Sequence, residues 1–558
     1  MNGRVWLIAG CCVWLQAGLA VAQTPVPSAR QTPPPAKVEQ EFQRTAPYEE
    51  RAAQRGPVLR LTAREVVDLA LRNNLDIAIE RFSRELTLRR VDGARGYYDP
   101  TLSLGATMSS TTTPLTGVSG GDRIPSDNVD VRSVSPGLRQ NLFGGGSVSL
   151  GLLSTETSTS NTATTVNPLA TSALNASLTQ PLARGFLATG ADRLLNLARL
   201  DVDITASQFR QKVTLVLQQV LVQYFELEYA LGVYDARRQS KDLALVLYEG
   251  AKLRVQNGLL PPVALTSARA EIAGRERDLL QAEVQIITAE NALKLLISPD
   301  PSSPLWQAVV FATDAPTPDE GPIDLAAAIG MATDRRPELE QLRLQAAQSA
   351  VDRTFFRRET WPTVNFTASV TSAGRAGNVL VRQGDLRFAD PTNPTFGGLQ
   401  RTWGQVFGFT FPAWSLGVNV QTPLRNRAAE AQRAQVDLAR SRLDTQTTRA
   451  TQSVIVDVRN IIEVIGTLRK SLEAARLTTQ LFAEQLDAQT ARHEANFSND
   501  FELRRYQRDL VDARVRELRA LVDLQLATIA LRRATDALLD EYGVPVSLVP
   551  RPDTPTRR

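Results

Sequence analysis

Four stretches of the chain alternate apolar with small polar residues. Leu102, Leu104, Ala106 and Met108 interleave with Ser103, Gly105, Thr107 and Ser109, and Leu174, Ala176 and Leu178 with Asn175, Ser177 and Thr179. Val364, Phe366, Ala368 and Val370 alternate with Asn365, Thr367 and Ser369, and Trp414, Leu416, Val418 and Val420 with Ser415, Gly417 and Asn419. A period of two predicts strands with one apolar face and one small polar face. A hairpin, Val131–Phe143 and Ser147–Thr157, is expected about Gly144-Gly145-Gly146. Its presence leaves four or six strands per protomer open, and neither number closes a pore alone. A soluble sandwich gives the same alternation. The uncharged polar face favours a membrane barrel, as do aromatics at segment ends (Tyr97, Tyr98, Trp361, Trp403, Phe411, Trp414).

Elsewhere the period is helical. Asp192 to Asn257 holds no proline and Arg425 to Asn496 holds none either; unbroken, each would reach roughly 100 Å at the α-helical rise. Leu265, Ile272, Leu279, Ile286 and Leu293 recur every seven residues, as do Val454, Ile461, Leu468, Ala475 and Phe482. Ala513, Ala520, Ala527 and Ala534 form a seven-spaced small stripe that admits close helix approach. The expectation is a mainly α chain with membrane β, its helices packed side by side as coiled coils.

The design occurs twice. Shifted by 262, Leu61–Leu104 overlays Ile323–Phe366, setting Asn73-Asn74-Leu75-Asp76 against Arg335-Arg336-Pro337-Glu338; shifted by 238, Arg254–Leu296 overlays Arg492–Ala534. The expected organisation is a first repeat over 58–297 (helix, strands within 101–182, helical hairpin 192–297) and a connector over 298–322. A second repeat follows over 323–545 (helix, strands within 363–424, helical hairpin 425–542), then a flexible tail, 546–558.

Residues 1–22 read as a secretory signal peptide: Arg4, an apolar run from Val5 to Leu19, and Ala20-Val21-Ala22 before cleavage near Gln23. Ile8-Ala9-Gly10-Cys11 resembles a lipoprotein box, but the apolar stretch before Cys11 is short for that use. Both cysteines, Cys11 and Cys12, fall inside the signal, so the exported chain would hold neither disulfide nor thiolate metal site. Residues 23–57, rich in proline, read as a linker. After the signal no apolar run reaches the roughly 18 residues of a membrane helix, so any span must be a closed barrel of strands.

Among 558 residues, 43% are hydrophobic and 22% charged, which excludes wholesale disorder and a multispan helical membrane protein. The net charge of +4 is small and arginines interleave with acids along the helices, so no nucleic-acid partner is expected. The one histidine, His493, beside a predicted helix turn, supports neither a catalytic triad nor a metal cluster and reads as tip contact or surface. Gly144-Gly145-Gly146 lacks the Lys-Ser/Thr of a phosphate loop. No enzyme activity, cofactor or metal is expected.

The duplicated strand and long-hairpin units, with Gln140-Asn141-Leu142-Phe143-Gly144-Gly145, Gln180-Pro181-Leu182 and Arg254-Val255-Gln256-Asn257-Gly258-Leu259, resemble the TolC-like outer membrane efflux protein family over about residues 58–545. The resemblance implies a homotrimer whose strands share one barrel in outer-membrane lipid and whose helices form a periplasmic α-tunnel. It further implies a periplasmic adaptor and an inner-membrane transporter as partners. The function implied is a passive exit duct for drug efflux or type I secretion. A non-conducting periplasm-spanning scaffold is the alternative, and a soluble exported enzyme a third.

By the same resemblance, the tunnel's closed end lies at two interhelical turns, Gly258–Val263 and Asn496–Phe501. The gate and adaptor candidates are Arg254, Asn257, Gly258, Leu259, Arg492, His493, Asn496, Phe497, Glu502 and Arg505, with Arg504 beside them. Where the family often places Thr-Asp after the first turn, this chain has Val263 and Ala264. Of two acids after the second it keeps Glu502 and has Arg505 in place of the other, which weakens the case for a cation-binding acidic constriction.

Overall fold

A computed structural model describes residues 47–114, 126–161, 163–317, 321–383, 386–393, 395–495, 497 and 500–544. The expected signal peptide, most of the Pro-rich linker and the tail from 546 lie outside the described residues. In chain order the elements are α1 (Tyr48–Ala53), β1 (Val58–Leu61), α2 (Ala63–Asn73), α3 (Leu75–Arg95), β2 (Thr101–Pro114), β3 (Ser126–Asn141), β4 (Ser147–Thr159) and β5 (Val166–Pro181). There follow α4 (Gly190–Gln256), α5 (Val263–Ile297), α6 (Pro304–Gln307), β6 (Val309–Ala312), α7 (Leu325–Arg335), α8 (Pro337–Glu359), β7 (Thr363–Gln383) and β8 (Leu386–Ala389). The last are α9 (Leu399–Phe407), β9 (Phe411–Gln421), α10 (Arg427–Glu494), α11 (Asp500–Ala534) and α12 (Leu538–Glu541).

The two offsets reappear in the element bounds. α2, α3 and β2 begin 262 residues before α7, α8 and β7, and α4 ends 238 before α10. Local chemistry sets the boundaries. Thr62 caps α2 reciprocally with Glu65, and Thr189 caps α4 with Asp192, each pair satisfying two otherwise orphaned donors. Asp192 also accepts the Tyr98 hydroxyl at 2.5 Å, and Tyr98 stacks on Phe143 with ring centroids 4.1 Å apart. Tyr98 is therefore buried, not part of an interfacial girdle: its ring fills the joint between helices and sheet.

The heptads expected in α5 and α11 form contacts inside the helical layer. Ile272, Leu279, Ile286 and Leu293 are buried, as are Ala513, Ala520 and Ala534. The largest core is built around α4, with Val216, Leu217, Val220, Leu221 and Tyr224 inaccessible and Ile286, Leu293 and Ile297 of α5 packed against them. α4 also meets α11 through Arg237–Asp512 at 3.0 Å and Arg519–Glu226 at 2.9 Å.

Two stretches read as connecting chain have structure. Within 23–57, α1 inserts Tyr48 and Ala52 into the main core, where Tyr48 meets Tyr234 edge-on at 5.1 Å. Within 298–322, β6 pairs in parallel with β1, Val58 opposite Val309. Four-residue strands carry too little periodicity to be read in isolation; their pairing across 251 residues is a tertiary fact.

The large sheet is antiparallel in the order β2-β3-β4-β5-β7-β9, with short β8 folding back on the end of β7. The hairpin is thus present as β3 and β4, and six long strands build the sheet. One register row runs Leu102–Leu138–Leu150–Ala176–Val370–Trp414. An adjacent row runs Thr101–Arg139–Ser149–Ser177–Ser369–Ser415. Apolar and mainly small polar residues therefore hold opposite faces across all six strands. At the β3–β4 turn Gly145 has φ +91°, and a Cβ there would fall 2.5 Å from the Gly185 carbonyl oxygen, so glycine is required both by conformation and by space.

Candidate functional site

The two interhelical turns end their long helices in the same way. At the first, Leu259 N–H donates to Arg254 O at 2.8 Å and Gly258 N–H to Val255 O at 3.0 Å, with Gly258 at φ +73°. This is a Schellman closure, in which a left-handed residue lets the chain turn back and satisfy the last carbonyls. At the second, Phe497 N–H donates to Arg492 O at 2.8 Å, the same bond 238 residues later. Asn496, at the position equivalent to Gly258, lies outside the described residues.

The candidates do not all sit alike. Asn257, Gly258, Leu259, Arg492, Phe497, Glu502 and Arg505 are exposed, and Arg254 and Arg504 are half-buried. Glu502 accepts a hydrogen bond from Gln489 Nε2 at 2.9 Å, linking the two arms of the second hairpin. Arg505 pairs with Asp509 one turn on, at 3.8 Å. His493 is 8% exposed, which corrects its reading as tip contact or surface: it lies in the inner layer of the hairpin with Gln489 and Gln507, both buried.

Sequence reasoning missed the apolar character of the tips. Leu253, Leu259 and Val263 at the first, and Phe497 and Phe501 at the second, are all exposed, Phe497 at 85%. Exposed apolar groups clustered at a helix end are a signal of contact with a partner, and apolar residues bracketing the Gly258 turn were legible as such. Among the described residues, no group of three or more His, Cys, Asp or Glu could hold a metal ion.

The sheet presents a second surface. Among the described residues β2 pairs only with β3 and β9 only with β7, so both edges are open. The apolar face is bare along them: Leu102, Leu104 and Met108 on β2, and Trp414, Leu416, Val418 and Val420 on β9, are each at least 62% exposed. The helical layer carries a matching stripe, Leu75, Ile79, Phe82 and Leu86 on one side of α3, and α10 exposes Val456, Val464, Leu477 and Leu481. No described helix is long and apolar enough to cross a membrane.

A six-stranded sheet with two open edges is continued by duplicated long helical hairpins. The chain has the TolC-like fold. It is similar to the outer membrane channel CmeC of Campylobacter jejuni (14% identity, TM-score 0.59, 85% of this chain and 86% of that one). It is likewise similar to the outer membrane protein VceC of Vibrio cholerae (14%, 0.56, 90% and 99%) and to the open-state MtrE outer membrane channel of Neisseria gonorrhoeae (17%, 0.55, 85% and 89%). No protein-family model matches the sequence, and no curated protein matches it.

Proposed function

We propose that three copies join edge to edge, β9 of one against β2 of the next, as a passive exit duct through the outer membrane. The observation that carries this reading is the pair of register rows. An exposed apolar row and a row of mainly small polar residues span all six strands on opposite faces, while both edges keep unpaired backbone groups. In lipid such edges must close on other strands. Six long strands from each of three copies make a barrel of eighteen, within the range in which barrels enclose water. The polar face then lines the lumen and the apolar face meets lipid.

Every long strand that continues into a long helix does so at the end of the sheet opposite Pro114 and Ser126, so the helices hang together on the periplasmic side as a tunnel. The stripes on α3 and α10 are the surfaces that a neighbouring copy covers. In this reading the chain is exported by its signal peptide, and the exposed apolar tips receive a periplasmic adaptor, with an inner-membrane transporter supplying the energy for drug efflux or type I secretion. The duct itself performs no catalysis.

The test is the mass of the detergent-extracted protein together with planar-bilayer recording. A trimer with discrete conducting steps is expected. A trimer without conductance would replace the duct by a scaffold, and a water-soluble monomer would overturn both.

A further inference from the structure

Helix α9 has no counterpart in the alternating pattern of the strands. It lies in the connection from β8 to β9 and packs on the sheet face that carries the apolar rows. Beyond those rows the same face is small on β5 and β7, where Ser172 stands beside Gly374 and Ala170 beside Ala376, while on β4 it holds Ser154 and then Glu156, paired across to Arg132 of β3. There α9 makes close contact. Thr402 Oγ1 is 2.6 Å from Ser172 Oγ, Ser372 Oγ donates to Val406 O at 2.7 Å, and a Cβ on Gly374 would fall 2.3 Å from Thr402 O.

The segment also finishes an edge. β9 ends its pairing with β7 at Ala373. Past that point Arg375 N–H donates to Gln405 Oε1 at 2.8 Å and Gly377 N–H to Thr395 O at 2.9 Å. Bare strand amides are costly where water is absent, and here they are covered.

With Thr402 and Val406 buried beneath, the outer side of α9 holds Trp403 and Phe407, 41% and 61% exposed, and Phe409 follows at 53%. The Trp403 indole N–H donates to Ser154 Oγ at 2.8 Å, so its polar atom is satisfied by protein and its ring is free to lie in an apolar medium. On the same face of the sheet, β9 carries Trp414, 76% exposed. α9 lies on the face of β7, β5 and β4, so a neighbouring copy that pairs in the plane of the sheet along β2 or β9 leaves its outer side uncovered.

We propose that α9 is an outer-leaflet anchor, laid on the lipid-facing side of the barrel so that Trp403 and Phe407 sit at the boundary between acyl chains and headgroups. The occupant is lipid because the patch continues the face that lipid covers, and because tryptophan, with bulky apolar side chains beside it, is the residue enriched where acyl chains meet headgroups. The inference rests on the outer-membrane reading of the sheet.

The test uses the full chain, which after signal removal has no cysteine of its own. Phe407→Cys, Trp414→Cys and Asn419→Cys are each labelled with an environment-sensitive fluorophore and reconstituted into phosphatidylcholine brominated at shallow or deep acyl positions. The expected result is shallow-position quenching at 407 comparable to that at 414, with the lumen-facing 419 label unquenched. Quenching at 414 but not at 407, with 407 open to aqueous iodide, overturns the anchor and leaves the barrel. No quenching at either 407 or 414 overturns the barrel itself.

Discussion

Arg336 donates its Nε–H to the main-chain oxygen of Ala534 at 2.6 Å. In the other half Asn74, 262 residues earlier, donates its side-chain amide to the oxygen of Leu296, 238 before Ala534, at 2.9 Å. Both bonds occupy one of the carbonyls that a helix end leaves without an internal partner, and both come from the residue between a short helix and the next. The clasp is the same in the two repeats although the side chains differ in size and charge.

Arg336 also holds Asp457 at 2.6 Å. Arg336→Ala should therefore leave a buried carbonyl and a partly buried carboxylate short of partners, at a cost of about 2–3 kcal/mol. Thermal melting of the detergent-solubilised protein reads this. Arg335→Ala, whose pair with Asp540 is exposed, should cost less than about 1 kcal/mol; equal losses would remove the clasp's special standing.

Burial, with Asp314 nearby, pushes Glu228 up to about 8, and its Oε2 has no hydrogen-bond partner. An acid whose folded value lies above its unfolded one binds the proton more tightly when folded. The stability it confers is full below the unfolded value and declines as pH rises towards 8. Glu228→Gln should accordingly raise the melting temperature more at pH 8 than at pH 5. A shift of the same size at both would show that the side chain is solvated in the fold.

Glu502 joins the arms of the second hairpin through Gln489, and Arg505 leans on Asp509. If these residues hold the tip closed, Glu502→Ala with Arg505→Ala raises the resting conductance of the reconstituted channel, while Glu502→Gln, which keeps an acceptor for Gln489, raises it less. Unchanged conductance in both variants would return them to ordinary surface.

Strand number is open to a direct check. β2 and β5 run in opposite directions, so excising the β3–β4 hairpin, Ser126–Thr159, leaves them able to pair. The proposed trimeric barrel would fall from eighteen strands to twelve and its diameter with it. Single-channel conductance should drop if the barrel limits flow; the same value in the shortened protein would locate the limiting constriction in the helical tunnel.

Periodicity alone determined a large part of this protein. Alternation at Leu102–Met108 and Val364–Val370 marked strands and their two faces, the seven-residue spacing of Ile272, Leu279, Ile286 and Leu293 marked a packed hairpin, and two offsets marked a duplication. These are local properties, set by where each side chain points from a helix or strand. The tips were placed by the family resemblance rather than by periodicity, and at the first of them Gly258 supplies the left-handed residue that the turn needs.

What tertiary structure decided lies where local pattern is short or where a residue's role depends on a distant one. β1 and β6 are too brief to read until they pair. Tyr98 looked like a girdle residue and is buried beside Phe143 and Asp192, and His493 looked superficial and is buried. α9 is nine residues in a loop and acquires meaning only from the Ser154, Ser172 and Gly374 surface beneath it. Burial is a property of the neighbours, and those neighbours come from as far as 293 residues away in the chain.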